Sequence, residues 1–139
     1  MRIIGLDLGE RRVGVAVSDP GGTIASPAGE FKPRGRAEIV ETVRRLVAEH
    51  GAGRVVVGLP LLEDGSRGEQ ARRAAGVADA LRDALEVPVE TWDERYSTDE
   101  ADRLLREAGR PRRQRRTRRD RAAAAVILQS YLDAKSLSG

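Results

Sequence analysis

The 139-residue sequence predicts one α/β domain over residues 1–139, a five-stranded mixed sheet flanked by helices. Three observations predict it. The first third of the chain alternates apolar and polar residues in short runs broken by turn residues, as an antiparallel meander does. Two later β-branched runs are each preceded by a stretch of helical period, as in parallel α/β units. The length suits a single core and is too short for two.

The elements follow in order. Residues 2–8, 13–18 and about 23–31 read as strands, with Gly9-Glu10-Arg11-Arg12 and Asp19-Pro20-Gly21-Gly22 turning the chain between them. A helix is expected over about 36–50, where Ile39, Val40, Val43, Leu46 and Val47 fall on one face. Arg54 to Leu59, stopped by Gly58 and Pro60, has the apolar continuity of a buried parallel strand. Ser66-Arg67-Gly68-Glu69 has capping-box spacing and should open a second helix through Leu85. Val87 to about Trp92 is the fifth strand. Ser97-Thr98-Asp99-Glu100 should cap a helix that Gly109 ends. An Arg-rich stretch follows as the only linker-like segment. The last helix is expected over about 118–135, apolar almost all round from Ala122 to Leu128 and so deeply buried. Three antiparallel strands followed by alternating helices and parallel strands is the layout of an RNase H-like fold.

Composition removes several chemistries. Without cysteine there are no disulfides, thiolate nucleophiles or thiolate zinc sites. The single histidine, His50, stands beside Gly51 where a helix should end, which is a helix-end role. Any metal must therefore be held by oxygen. No apolar run approaches the roughly 20 residues that span a bilayer, and residues 2–6 begin a strand rather than a signal peptide, so no membrane association and a cytoplasmic location are expected. Net charge is +3, but residues 110–121 hold eight Arg and one Asp, leaving the remainder mildly acidic. A solvated charge run is one reading. That every cation in it is Arg favours phosphate, onto which guanidinium forks bidentately.

Three acidic positions stand out. Asp7 ends an apolar strand, on the face it shares with Ile3 and Gly5, where a carboxylate loses hydration at a cost of several kcal/mol. Gly5 and Gly9 leave room beside it. A cap on the following turn is the alternative. Asp93-Glu94-Arg95 ends the fifth strand, and neighbours point to opposite faces, so at most one of the two acids enters a site on one side. Strand parity does not choose between them. Asp120 fits a capping box, Thr117-Arg118-Arg119-Asp120, at the start of the last helix, and alone it reads as an ordinary N-terminal acid. Together, three acids at element ends can form an all-oxygen site for magnesium or manganese. Two such ions about 4 Å apart hydrolyse phosphodiesters without a protein nucleophile.

Gly5-Leu6-Asp7-Leu8-Gly9, Arg12-Val13-Gly14-Val15-Ala16-Val17-Ser18-Asp19 and Val57-Gly58-Leu59-Pro60 lead a series of blocks. Asp64-Gly65-Ser66, Gln70-Ala71, Pro88-Val89, Asp93-Glu94-Arg95 and Asp120 continue it, and Ala122-Ala123, Ile127-Leu128-Gln129 and Tyr131-Leu132 close it. In order and spacing this series resembles the YqgF family, also called RuvX, over nearly the whole length. The resemblance implies an RNase H-like nuclease with three metal-binding acids, matching Asp7, Glu94 and Asp120. It also implies a role in maturing the 5′ end of pre-16S rRNA, or in cleaving branched or single-stranded DNA. The Arg-rich segment departs from a stretch that family often fills with Lys. Arg11, Arg12 and Arg95, which flank the acids, suit either steering of a scissile phosphate or plain solvated turns; with Arg112, Arg113, Arg115 and Arg116 they are the expected nucleic-acid contacts of a monomer or homodimer. Asp64-Gly65-Ser66 suits either a phosphate cradle or a plain turn, and Trp92 either a base stack or the core. Two other functions fit parts of the sequence. A non-catalytic RNA-binding ribosome-assembly factor needs only the fold and the arginines. An actin-like nucleotide-binding ATPase shares the Gly-Leu-Asp-Leu-Gly loop, but needs two such halves.

Overall fold

The structure is a computed structural model that describes residues 1–62, 64–94 and 112–138, with side chains in the last of these segments described over 123–136. Its strands are β1 (Arg2–Leu8), β2 (Val13–Ser18), β3 (Ala25–Phe31), β4 (Ala52–Leu59) and β5 (Val89–Asp93). The described helices are α1 (Arg36–His50), α2 (Glu69–Ala84) and α3 (Arg112–Ser138). The five strands form one sheet in the order β3-β2-β1-β4-β5. β1 pairs antiparallel with β2, and β2 with β3, while β1–β4 and β4–β5 are parallel. This is the expected RNase H-like layout.

Strand phase sorts the core into two layers. Ile4, Leu6 and Leu8 pack with Val55, Val57 and Leu59 beneath α1 and α2, joined by Ile39, Val43, Ala74, Val77, Ala78 and Leu81. Ile3, Ala16 and Val56 face the other way, against Ala124, Leu128, Tyr131 and Leu132 of α3. β1 and β4 are central and bury both faces, which explains the apolar continuity of β4. α3 comes close because the sheet is glycine-paved under it. A Cβ built on Gly5 would stand 2.8 Å from Leu128 Cβ, and one on Gly14 would stand 3.6 Å from Ala124 Cβ.

The elements share a polarity. β1, β3, β4 and β5 all finish at one end of the sheet, where α1 and α2 begin. α3 runs the opposite way to β1. Ala124 lies over Gly5 and Gly14, whereas the side chain of Gln129 accepts from Ala25 N and donates to Thr23 O at the far end. The Met1 amine donates to Pro20 O at that far end too, at 2.6 Å.

Four expectations need correction. Ser66 does not cap α2: its hydroxyl and amide both donate to Asp64 Oδ1, at 2.6 and 2.8 Å, and the N-cap is Gly68 with no side-chain cap bond. Asp64 captures the serine locally before the helix can use it. α3 begins at Arg112 rather than about 118, so Thr117 lies inside it and Asp120 does not open it. The Arg-rich stretch is therefore largely helix and not a linker, as suits Arg, a good helix former. Burial of α3 is one-sided: Ala124, Ile127, Leu128, Tyr131 and Leu132 are buried, while Ala125 and Val126 are only partly covered. The helix expected after Ser97 lies outside the described residues.

Candidate functional site

The carboxylates meet where the parallel strands end. Asp7 is the penultimate residue of β1, paired across the ladder with Gly14 and half-buried on the α3 side. β4 lies on its other flank, with Leu6 opposite Val57 and Gly58 next along. A Cβ built on Gly58 would stand 2.5 Å from Glu94 Oε1, 3.0 Å from its Cγ and 2.9 Å from Ile127 Cδ1. The missing side chain of Gly58 is thus the space that Glu94 occupies, between β4 and α3. Glu94 follows β5 directly, and its amide extends the sheet by donating to Leu59 O at 3.1 Å.

Strand phase, silent in the sequence, is settled by packing. Trp92 stacks edge-on against Tyr131 of α3, ring centroids 5.6 Å apart, and its indole N–H donates to Ser130 Oγ at 3.1 Å. Two residues on, Glu94 returns to that face and reaches Asp7. Trp92 itself belongs to the packing against α3.

Glu94 and Asp7 share a hydrogen bond, which requires one carboxyl to keep its proton. Burial first, then the Asp7 charge and this hydrogen bond, then the Asp93 charge push the Glu94 carboxyl up to about 8 from an ordinary 4.5. Two acids are held together against their own repulsion. Such a pair offers hard oxygen ligands where a cation can take the place of the shared proton, so the donor set fits magnesium or manganese. Among the described residues no group of three or more acids or histidines stands together. The Asp120 side chain lies outside them. Its backbone is in α3, four residues and so about one turn before Ala124, toward the carboxylate end.

The expected arginines are only partly placed. Arg11 is exposed in the β1–β2 turn, and Arg12 pairs with Glu30 at 2.8 Å on an exposed surface. Arg95 lies outside the described residues, as do the side chains of Arg112, Arg113, Arg115 and Arg116, whose backbone forms the first turns of α3. Asp64-Gly65-Ser66 is a turn, closed by Gly65 N donating to Leu62 O at 2.8 Å with Gly65 at φ 86°. His50 ends α1 ahead of Gly51, the left-handed cap at φ 60°. Gly58 is the residue that sequence reasoning missed as part of the site. A glycine inside a β-branched strand was the available signal, since such a gap often marks a close approach.

A family profile described as "RuvX: Holliday junction resolvase" matches residues 1–134. The chain belongs to the RuvX family. A relative from Pelotomaculum thermopropionicum, named "Putative pre-16S rRNA nuclease", is 48% identical over 136 residues, covering 97% of this RuvX chain and 88% of the relative. One of the same name from Syntrophomonas wolfei subsp. wolfei is 42% identical over 137 residues, covering 99% and 97%. Among solved structures, T. thermophilus RuvC in complex with a Holliday junction substrate superposes with a TM-score of 0.59, covering 98% of this chain and 96% of that one. At 18% identity that likeness speaks for the fold of this RuvX protein alone. The family and the RNase H-like architecture expected from sequence are both borne out.

Proposed function

We propose that this RuvX chain is a nuclease that hydrolyses phosphodiester bonds with divalent metal ions held by Asp7, Glu94 and Asp120. The observation that carries the reading is the Asp7–Glu94 pair, two carboxyls kept in contact at the cost of a shared proton. Family membership supports a nuclease role; the relatives' names point to pre-16S rRNA as substrate and the family description to branched DNA, and single-stranded DNA is the third class that the same acids could cut. A cytoplasmic location accords with that substrate.

The chain's own residues do the following. Asp7 and Glu94 present oxygens from two strand ends that flank β4, and these two carboxyls would hold a cation once the proton between them is lost. Asp120, one helical turn before Ala124, supplies the third carboxylate. When bound, a pair of magnesium or manganese ions supplies an activated water and a stabilised leaving oxygen. Arg11, Arg12 and Arg95 orient the scissile phosphate, and the arginines of the first turns of α3 hold the flanking strand. The N-terminal ends of all three described helices point to this end, and their dipoles favour the phosphates.

The test is cleavage by purified protein, with manganese or magnesium, of matched pre-16S rRNA, single-stranded and four-way-junction substrates. Native protein should cut at least one of them. Asp7→Asn should lose metal-dependent cleavage, at least 100-fold on the scale of about 10² for a misplaced catalytic group, while still folding and binding nucleic acid. Undiminished cleavage by Asp7→Asn, or none by the native chain on any of the three, overturns the reading.

A further inference from the structure

A cavity of about 540 Å³ opens between the first turns of α1 and α2 and the β1–β2 turn, on the sheet face away from α3. Arg34, Arg36 and Arg73 line it with Glu10, Glu69 and Gln70. Some of these groups are already engaged. Gln70 Nε2 donates to Glu10 Oε1 at 3.1 Å, and Arg73 Nη1 donates to Gly9 O at 2.6 Å, tying α2 to the turn that follows Asp7. Arg34 and Arg36 carry no hydrogen bond or ion pair among the described residues.

Arg36 is placed without an acid partner. A Cβ built on Gly76, in the interior of α2, would stand 2.6 Å from Arg36 Nη2 and 3.2 Å from its Cζ. Glycine is unfavourable in a helix interior. Here its bare backbone makes a slot for a guanidinium whose donors remain open to a ligand. Three guanidiniums against two carboxylates leave a modest positive excess, suited to one or two phosphates rather than a dense polyanion.

We propose that this cavity is a second nucleic-acid contact, taking the sugar-phosphate backbone of the strand that leads away from the Asp7–Glu94 pair. The proposal rests on the nuclease reading. Arg73 on Gly9 O fixes the turn that begins two residues beyond Asp7, so a strand leaving the carboxylates passes over that turn to reach Arg34 and Arg36. Passing over the end of the sheet and half a helix is a path of roughly 10–15 Å. At the roughly 3.4 Å per nucleotide of a stacked strand it is about three to four nucleotides long.

The test is binding of labelled single-stranded RNA and DNA oligonucleotides of about 4 to 16 nucleotides, by anisotropy titration in EDTA over a series of salt concentrations. Native chain is compared with Arg34→Ala/Arg36→Ala. Arg44→Ala/Arg45→Ala is the control, removing equal charge from exposed positions further along α1. Coincident thermal unfolding curves establish that the variants fold. The cavity variant should flatten the slope of log affinity against log salt by about 1.4, at ~0.7 for each phosphate of a single strand that is no longer neutralised. Its deficit should appear only on oligonucleotides longer than about five nucleotides, and the control should match the native chain. An unaltered slope, or an equal change in the control, overturns the assignment. A native chain that binds through these arginines yet cuts nothing overturns the nuclease reading and leaves the cavity standing.

Discussion

Replacing Glu94 by Gln should leave the site inert and the fold more stable. The Glu94 carboxyl, at about 8 rather than 4.5, stays protonated in the folded chain where the unfolded chain has already ionised. The folded state then holds the extra proton, so stability falls as pH rises from about 4.5, and the loss is complete above about 8. At about 1.36 kcal/mol per unit, the shift sets an upper limit of about 4 kcal/mol at pH 8. Water reaches part of the side chain, and screening reduces the figure to about 2 kcal/mol. Gln cannot ionise, and its amide donates to Asp7 as the protonated acid does. For a chain of this length about 2 kcal/mol corresponds to roughly 6–10 °C in Tm. Thermal unfolding followed by circular dichroism in EDTA should show that gain at pH 8 and its disappearance by pH 4.5. Adding magnesium or manganese at pH 8 should raise the Tm of the native chain and leave that of Glu94→Gln nearly unchanged. A variant no more stable than the native chain at pH 8, or a difference that does not vary with pH, would refute the argument.

Gly58→Ala places a methyl where Glu94 and Ile127 already sit; it should cost about 1–3 kcal/mol in chemical denaturation and lower cleavage by about 10²-fold through displacement of Glu94. Tyr131→Phe removes the hydroxyl that accepts from Arg54 Nη1 at 2.7 Å, in a group whose Nε is already buried without a partner. Denaturant titration should show a loss of about 1–3 kcal/mol, with cleavage per folded molecule unchanged because the pair lies at the end of the sheet remote from Asp7. Replacing Arg112, Arg113, Arg115 and Arg116 together by Ala should flatten the salt dependence of single-strand binding by up to about 3, at ~0.7 per phosphate; an unchanged slope takes the start of α3 out of the interface.

The sheet was legible because its pattern is local. Ile3 to Leu8 and Val13 to Val17 are short apolar runs bounded by turn residues, and α1 was bounded correctly by its apolar period and by Gly51. Two helix starts were not. Ser66 and Thr117 both sit in capping-box spacing, but the first is drawn to Asp64 and the second lies within a longer helix. A capping motif states what a backbone can use, and tertiary and local competitors decide whether it does. Asp7 was legible from the apolar run it ends. The choice of Glu94 over Asp93 was not, because it depends on Trp92 meeting Tyr131, residues 39 positions apart. Arg34, Arg36 and Arg73 form no run, and only the fold brings them to one cavity. Gly76 inside an otherwise regular helical pattern was the one visible trace of it.

The shared polarity of the elements has a practical consequence for measurement. Met1 and the end of α3 both lie at the end of the sheet remote from Asp7 and Glu94. An affinity handle or a surface tether joined to either terminus therefore leaves the carboxylate end facing solution, with its approach unobstructed. Immobilised protein oriented in this way should bind long structured nucleic acids as readily as it does when untethered.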